Sequence, residues 1–76
     1  MDRTSVFAAR LNSAMQTHGF KQIDIVRRAA ENGVKLGKSH ISQYVSGKTM
    51  PRPDIVRFLA ATLQVDERWL RGEDTT

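Results

Sequence analysis

Residues 38–52 contain two kinds of side chain that can bind a nucleic acid. Hydrogen-bonding groups come first, and two cations, Lys48 and Arg52, follow them. An amide such as that of Gln43 can pair with adenine through two hydrogen bonds, and a lysine such as Lys38 can donate to guanine. Ser39 and His40 add hydrogen-bonding groups in the same stretch. These residue types offer the chemistry needed to recognise a polar, negatively charged surface.

The positive charge of the chain is concentrated in its middle. The 76 residues carry a net charge of +4, but residues 21–57 hold eight basic and three acidic residues, so this segment alone carries +5 and the flanks together carry −1. A polyanionic partner would be attracted to the middle segment. Charge alone is equally compatible with a solvated surface that binds nothing.

Other kinds of site find little support in the sequence. Cysteine is absent, and His18 and His40 have no carboxylate or cysteine beside them at metal-ligand spacing. The sequence has no glycine-rich phosphate loop, nucleophile elbow or pair of catalytic carboxylates, and so short a chain leaves little room for a closed active site. We therefore expect no catalysis, no metal, no cofactor and no small-molecule substrate.

Five amphipathic segments would position these groups. Apolar periodicity predicts helices over residues 5–18, 21–31, 38–45, 53–63 and 67–71. No strand pattern or internal repeat interrupts them. The sequence therefore predicts an all-α protein with one compact domain over residues 1–72, followed by a polar tail or the start of a linker over residues 73–76.

Local signals mark the helix ends. Thr4 or Ser5 can cap the first helix, and Asp66 can cap the last. Pro53 suits the first position of the fourth helix, where its missing N–H is not needed. Residues 34–37 have no helical period and are predicted to form a turn. Because the chain has neither a membrane-length apolar run nor a secretory signal, we expect a cytoplasmic protein.

Three stretches, in this order and at these separations, resemble the XRE-type helix-turn-helix family that includes the lambda and 434 repressors and the Cro proteins. Residues 22–26 are similar to the glutamine-led start of the family's second helix, residues 41–49 to its recognition helix and glycine-ended turn, and residues 59–70 to its last two helices. The resemblance covers about residues 7–72. It implies a five-helix lambda-repressor-like domain in which helices 2 and 3 form the helix-turn-helix.

Two features depart from the family pattern. Lys21 stands where the family usually has a threonine or serine cap, so the second helix should be less well capped. Gln22 and Ile41 are also about five residues further apart than the usual turn allows. Either the second helix or the turn after it must therefore be longer.

The resemblance also implies roles for individual residues. The residues expected to read bases are Lys38, Ser39, His40 and Gln43. Those expected to bind phosphates are Gln22, Lys48, Thr49 and Arg52, with Lys21, Lys35 and Arg57 as weaker candidates. The plainer alternatives are that the serine only caps its helix, that the histidine only touches a phosphate, and that the loop cations are merely solvated.

The function implied is that of a sequence-specific regulator, a phage- or prophage-type repressor that binds a palindromic operator in double-stranded DNA as a homodimer. Val65, Trp69 and Leu70 form an apolar end that could be the dimer interface, although Trp69 could instead close the core. Core packing also explains Tyr44 better than stacking on single-stranded nucleic acid does. The alternative function is a protein-interaction module of the antitoxin or antirepressor type.

Overall fold

Five α-helices account for the regular structure of residues 2–73, the part of the chain that the computed structural model describes. They are α1 (Arg3–His18), α2 (Gln22–Glu31), α3 (Lys38–Ser46), α4 (Pro53–Leu63) and α5 (Glu67–Arg71). No strand occurs within this range, so the all-helical prediction is confirmed. Of the predicted tail, residues 74–76 lie outside the described residues.

Helix α1 begins earlier than the sequence predicted. The carboxylate of Asp2 accepts the Ser5 N–H at 2.9 Å and the Thr4 hydroxyl at 2.8 Å. Asp2 is therefore the N-cap, and the expectation that Thr4 or Ser5 caps this helix is wrong. Aspartate caps a helix at least as well as either residue, and α1 gains two residues by starting after it.

Each of the five helices is followed, within two residues of its end, by a residue in the left-handed conformation. These residues are Gly19, Gly33, Gly47, Gln64 and Gly72. The N–H of the next residue then returns to a carbonyl of the last helical turn, as in the 2.8 Å bond from Val34 N–H to the Ala29 carbonyl. The turns are sharp because these otherwise unpaired carbonyls are satisfied within a few residues.

The core lies where the five helices meet, and each helix contributes to it. Its largest fully buried side chains are Phe7, Leu11, Ile25, Ile41, Val56, Leu59, Leu63 and Leu70. Tyr44 and Trp69 are half-buried and pack against this cluster, as expected. Leu70 is fully buried within the monomer, so it is not available to the predicted dimer interface.

The connection between α2 and α3 accounts for part of the unusual spacing in the sequence. It contains six residues, 32–37, whereas about three or four are usual in a helix-turn-helix. Gly33 turns the chain in the left-handed conformation, Leu36 is buried in the core and Gly37 is the N-cap of α3. Residues 34–37 form no helix or strand, as predicted, but the turn itself lies at residues 32–33 and the burial of Leu36 was not predicted.

Candidate nucleic-acid interface

Helix α3 packs against the protein with one face and exposes the opposite face to solvent. It packs against α1 and α2 and makes no close backbone contact with α4 or α5. Ile41 is fully buried, while Tyr44 and Val45 are half-buried. Its exposed residues are Lys38, Ser39, His40, Ser42, Gln43 and Ser46. The open face is therefore entirely polar.

Helical geometry orders the residues of this face. At about 100° per residue, Ser39, Gln43 and Ser46 lie on the side opposite Ile41. The Ser46 hydroxyl donates to the Gln43 carbonyl at 3.0 Å. The sequence-based set omitted Ser42 and Ser46, although Ser46 is spaced by three and seven residues from Gln43 and Ser39 on one helical face. Lys38 lies nearer the edge of the face, in the first turn.

His40 has a structural contact as well as an exposed ring. Its Nδ1 accepts the backbone N–H of Gly37 at 3.3 Å, so the side chain reaches back to the N-cap of its own helix. An Nδ1 that accepts a hydrogen bond requires the proton of the neutral ring to sit on Nε2. The atom left to contact a partner is therefore a hydrogen-bond donor.

The other end of α3 is attached to α1 by Asn12. The Asn12 amide nitrogen donates to the carbonyl of Ala8 at 2.8 Å and to the carbonyl of Val45 at 2.9 Å. Both amide hydrogens are thus used, one within α1 and one between helices. The sequence offered no signal for this contact because the two residues are far apart in the chain.

Two of the predicted phosphate-binding residues lie at the start of α2, the helix that packs against α3. Gln22 is the first residue of α2 and is half-buried, and Lys21 is its exposed N-cap. The Lys21 N–H donates to the Asp24 carboxylate at 2.8 Å, but the lysine side chain provides no acceptor for the free N–H groups of the first turn. The start of α2 therefore has the hydrogen bond from the N-cap N–H but none from the N-cap side chain, which agrees with the weaker cap predicted at Lys21.

The loop after α3 exposes Lys48, Thr49 and Arg52. Buried Pro51 holds the loop against the protein. Within residues 2–73, Lys48 has no ion-pair partner, whereas Arg52 Nε lies 3.9 Å from an Asp54 carboxylate oxygen. Such an exposed pair is weak, so Arg52 remains available to an external anion.

The predicted cations lie at both ends of α3. Lys48 follows its C-terminal end directly, whereas Arg52 borders a groove with residues 33–35, just before its N-terminal end. Arg57 is different, because its Nε lies 3.7 Å from a Glu67 carboxylate oxygen on α5. Arg57 is therefore the weakest of the phosphate-binding candidates.

Neither a metal-binding cluster nor a membrane-spanning helix is found among the described residues. Among residues 2–73, no three histidine, cysteine or acidic side chains cluster closely enough to hold a metal ion. No helix in that range is long and apolar enough to cross a membrane. The exposed polar face of α3, with cations around it, remains the main candidate site.

A short helix with an open polar face, packed against the helix that precedes it, is the arrangement of a helix-turn-helix, with α2 and α3 as the motif. A family model described as helix-turn-helix matches residues 21–70, more than half of the chain. The chain therefore belongs to the lambda repressor- and Cro-like (XRE-type) helix-turn-helix family, and the resemblance is confirmed. Proteins of this family are DNA-binding transcription regulators and are not typically enzymes. No match was found among the curated proteins.

Proposed function

We propose that this protein is a sequence-specific repressor of the phage or prophage type, which inserts residues 38–45 of α3 into the major groove of its operator. The observation that carries the proposal is the open polar face of α3, which no other helix of the described chain covers. A major groove admits an α-helix and presents a distinct pattern of donors and acceptors for each base pair.

Gln43 is the central base-reading residue in this proposal. It lies in the middle of the exposed face, and its amide can donate to and accept from adenine at the same time. Ser39 lies one turn before it, and Lys38 and His40 contact the DNA from the first turn. Ser42 and Ser46 extend the predicted set toward the end of the helix.

Phosphate contacts on either side of α3 would fix its position on the duplex. Lys21 and Gln22 would bind one backbone at the start of α2, where free N–H groups also favour an anion. Lys48, Thr49 and Arg52 would bind phosphates from the loop after α3. These contacts carry no sequence information of their own.

We also propose that the protein binds a palindromic operator as a homodimer. One short helix reads only a few base pairs, so a monomer would bind weakly and with little selectivity at physiological salt. Two copies would place their α3 helices about one turn of DNA apart. Of the predicted interface residues, Val65 and Trp69 are half-buried and retain some surface for a partner.

The test begins with selection of bound sequences from a random duplex pool, followed by affinity measurements at two salt concentrations. Gln43→Ala should relax the preference at one base position, whereas Lys48→Ala should weaken binding to every sequence and reduce the salt slope by roughly 0.9. Gln16→Ala and Arg68→Ala provide controls at exposed positions outside the site. If Gln43→Ala and Lys48→Ala behave like their controls, the proposal is wrong.

One observation favours the alternative of a protein-interaction module. Ile23 on α2 is the exposed large hydrophobic residue of the described chain, with 48% of its surface accessible. A single surface isoleucine is normal on a soluble protein, so this observation is weaker than the open polar face of α3. If Ile23→Ser abolished activity in cells while operator binding by the purified protein stayed unchanged, a protein partner would be required in addition to DNA.

A further inference from the structure

The six-residue α2–α3 connection forms one wall of a groove. The groove has a volume of about 320 Å³ and is lined by Gly33, Val34, Lys35, Arg52, Asp54 and Ile55. The connection contributes the first three of these residues, and the start of α4 contributes the others. Because Leu36 is buried immediately after Lys35, this wall is anchored to the core.

The groove carries two cations that the fold does not neutralise strongly. Lys35 is exposed and has no ion-pair partner within residues 2–73. The Arg52 side chain is 82% exposed, and its contact with Asp54, at 3.9 Å, is long and open to solvent. Within the described range, the Lys35 N–H also donates to no protein acceptor. These groups together suit an oxyanion with several acceptor oxygens.

We propose that this groove is a second DNA-backbone site, in which Lys35 and Arg52 bind phosphate and Asp54 weakens the binding by competing for Arg52. The inference rests on the proposed function and adds Lys35 and Asp54 to it. Only Leu36 and Gly37 separate Lys35 from the first residue of α3, so DNA lying along α3 would have its backbone close to the groove. A phosphodiester is the anion that such a duplex would present there.

The test compares Lys35→Ala, Arg52→Ala and Asp54→Asn with the wild type on the selected operator and on a random duplex. Arg68→Ala is the control, because Arg68 is an exposed arginine on α5, which makes no close backbone contact with α3. Lys35→Ala and Arg52→Ala should each weaken binding to both duplexes. Loss of one phosphate contact should reduce the ratio of affinities at 50 and 200 mM salt by about 3.5-fold.

Asp54→Asn should have the opposite effect and tighten binding to both duplexes. If Asp54 acts by competing for Arg52, this gain should fall by at least half when Arg52 is already alanine. A gain that is the same in both backgrounds would overturn the competition between Asp54 and DNA. All these positions are exposed, so circular dichroism should show unchanged folding.

The outcomes separate this inference from the proposed function. If Lys35→Ala binds DNA as Arg68→Ala does, while Gln43→Ala and Lys48→Ala still change binding, the groove is not a DNA site and the regulator proposal stands. If Lys35→Ala, Arg52→Ala, Gln43→Ala and Lys48→Ala all bind DNA as the wild type does, both proposals are wrong.

Discussion

The Asn12 amide donates a hydrogen bond to the Val45 carbonyl at 2.9 Å and so joins α1 to the C-terminal end of α3. Asn12 lies outside residues 21–70, the part of the chain that matches the family model. The orientation of the proposed recognition helix thus depends on a helix that precedes the motif itself.

Asn12→Ala should destabilise the protein and weaken operator binding. Asn32→Ala is the matched control, because Asn32 also donates to a carbonyl four residues earlier at 2.8 Å but reaches no other helix. The interhelical bond should make Asn12→Ala more destabilising than its control by about 1 kcal/mol in the free energy of unfolding. Chemical denaturation followed by Trp69 fluorescence measures this difference, and equal losses would show that the bond does not stabilise the packing of α3.

Gly72→Ala should destabilise the fold more than Gly33→Ala. Both glycines have a positive φ, so either substitution carries a backbone strain of roughly 1 kcal/mol. Only at Gly72 would the added Cβ meet a neighbour closely, at 2.8 Å from Val6 Cγ1, whereas nothing lies within 4 Å at Gly33. Thermal melts should therefore rank the two variants, and Val6→Ala should remove most of the excess loss at Gly72. A persistent excess in that background would contradict the steric cause.

Gln64→Gly should stabilise the protein. Gln64 follows the last residue of α4 with a φ of 58°, and it is the only non-glycine residue with a positive φ among residues 2–73. Glycine adopts this conformation without the Cβ clash, so we expect a gain of about 0.5–1 kcal/mol in unfolding free energy. Ala61→Gly, at an exposed position inside the same helix, should instead cost about 1 kcal/mol. Denaturant titration of both variants decides the sign.

The neutral His40 ring should carry its proton on Nε2 in the free protein. Nδ1 is occupied as the acceptor of the Gly37 N–H, which leaves Nε2–H to donate to a base edge or a phosphate. Long-range ¹H–¹⁵N correlation spectra distinguish the two tautomers. Within residues 2–73 the His18 ring makes no hydrogen bond, so His18 serves as the internal comparison. A His40 ring protonated mainly on Nδ1 would contradict the structure.

The cap of α1 should loosen in acid. The hydrogen bond from the Ser5 N–H, followed by that from the Thr4 hydroxyl, holds the pKa of Asp2 below its usual value. A lowered pKa in the folded state means that the stabilisation is present above the unfolded pKa of about 3.9 and is lost as the pH falls through the folded value. The stability difference between the wild type and Asp2→Ala should therefore shrink below pH 4. A difference that is constant from pH 7 to pH 2 would contradict this cause.

The order of the helices and most of their ends follow from the sequence alone. A glycine such as Gly19 or Gly47, a proline at position 53 and an aspartate at position 66 each act on backbone groups within about four residues. The polar character of α3 is equally local, because Ile41, Tyr44 and Val45 recur at helical spacing and leave the other positions outside. These features could be predicted because their causes lie in neighbouring residues.

Contacts between distant residues were decided by the tertiary structure. Leu36 is buried although the residues around it have no helical periodicity, and Asn12 on α1 donates a hydrogen bond to Val45 on α3. Two similar exposed arginines also diverge, since Arg57 faces Glu67 on α5 while Arg52 borders the groove beside Lys35. A charge or an amide finds its partner through the packing of helices, which depends on the shape of the whole core and leaves no local pattern in the sequence.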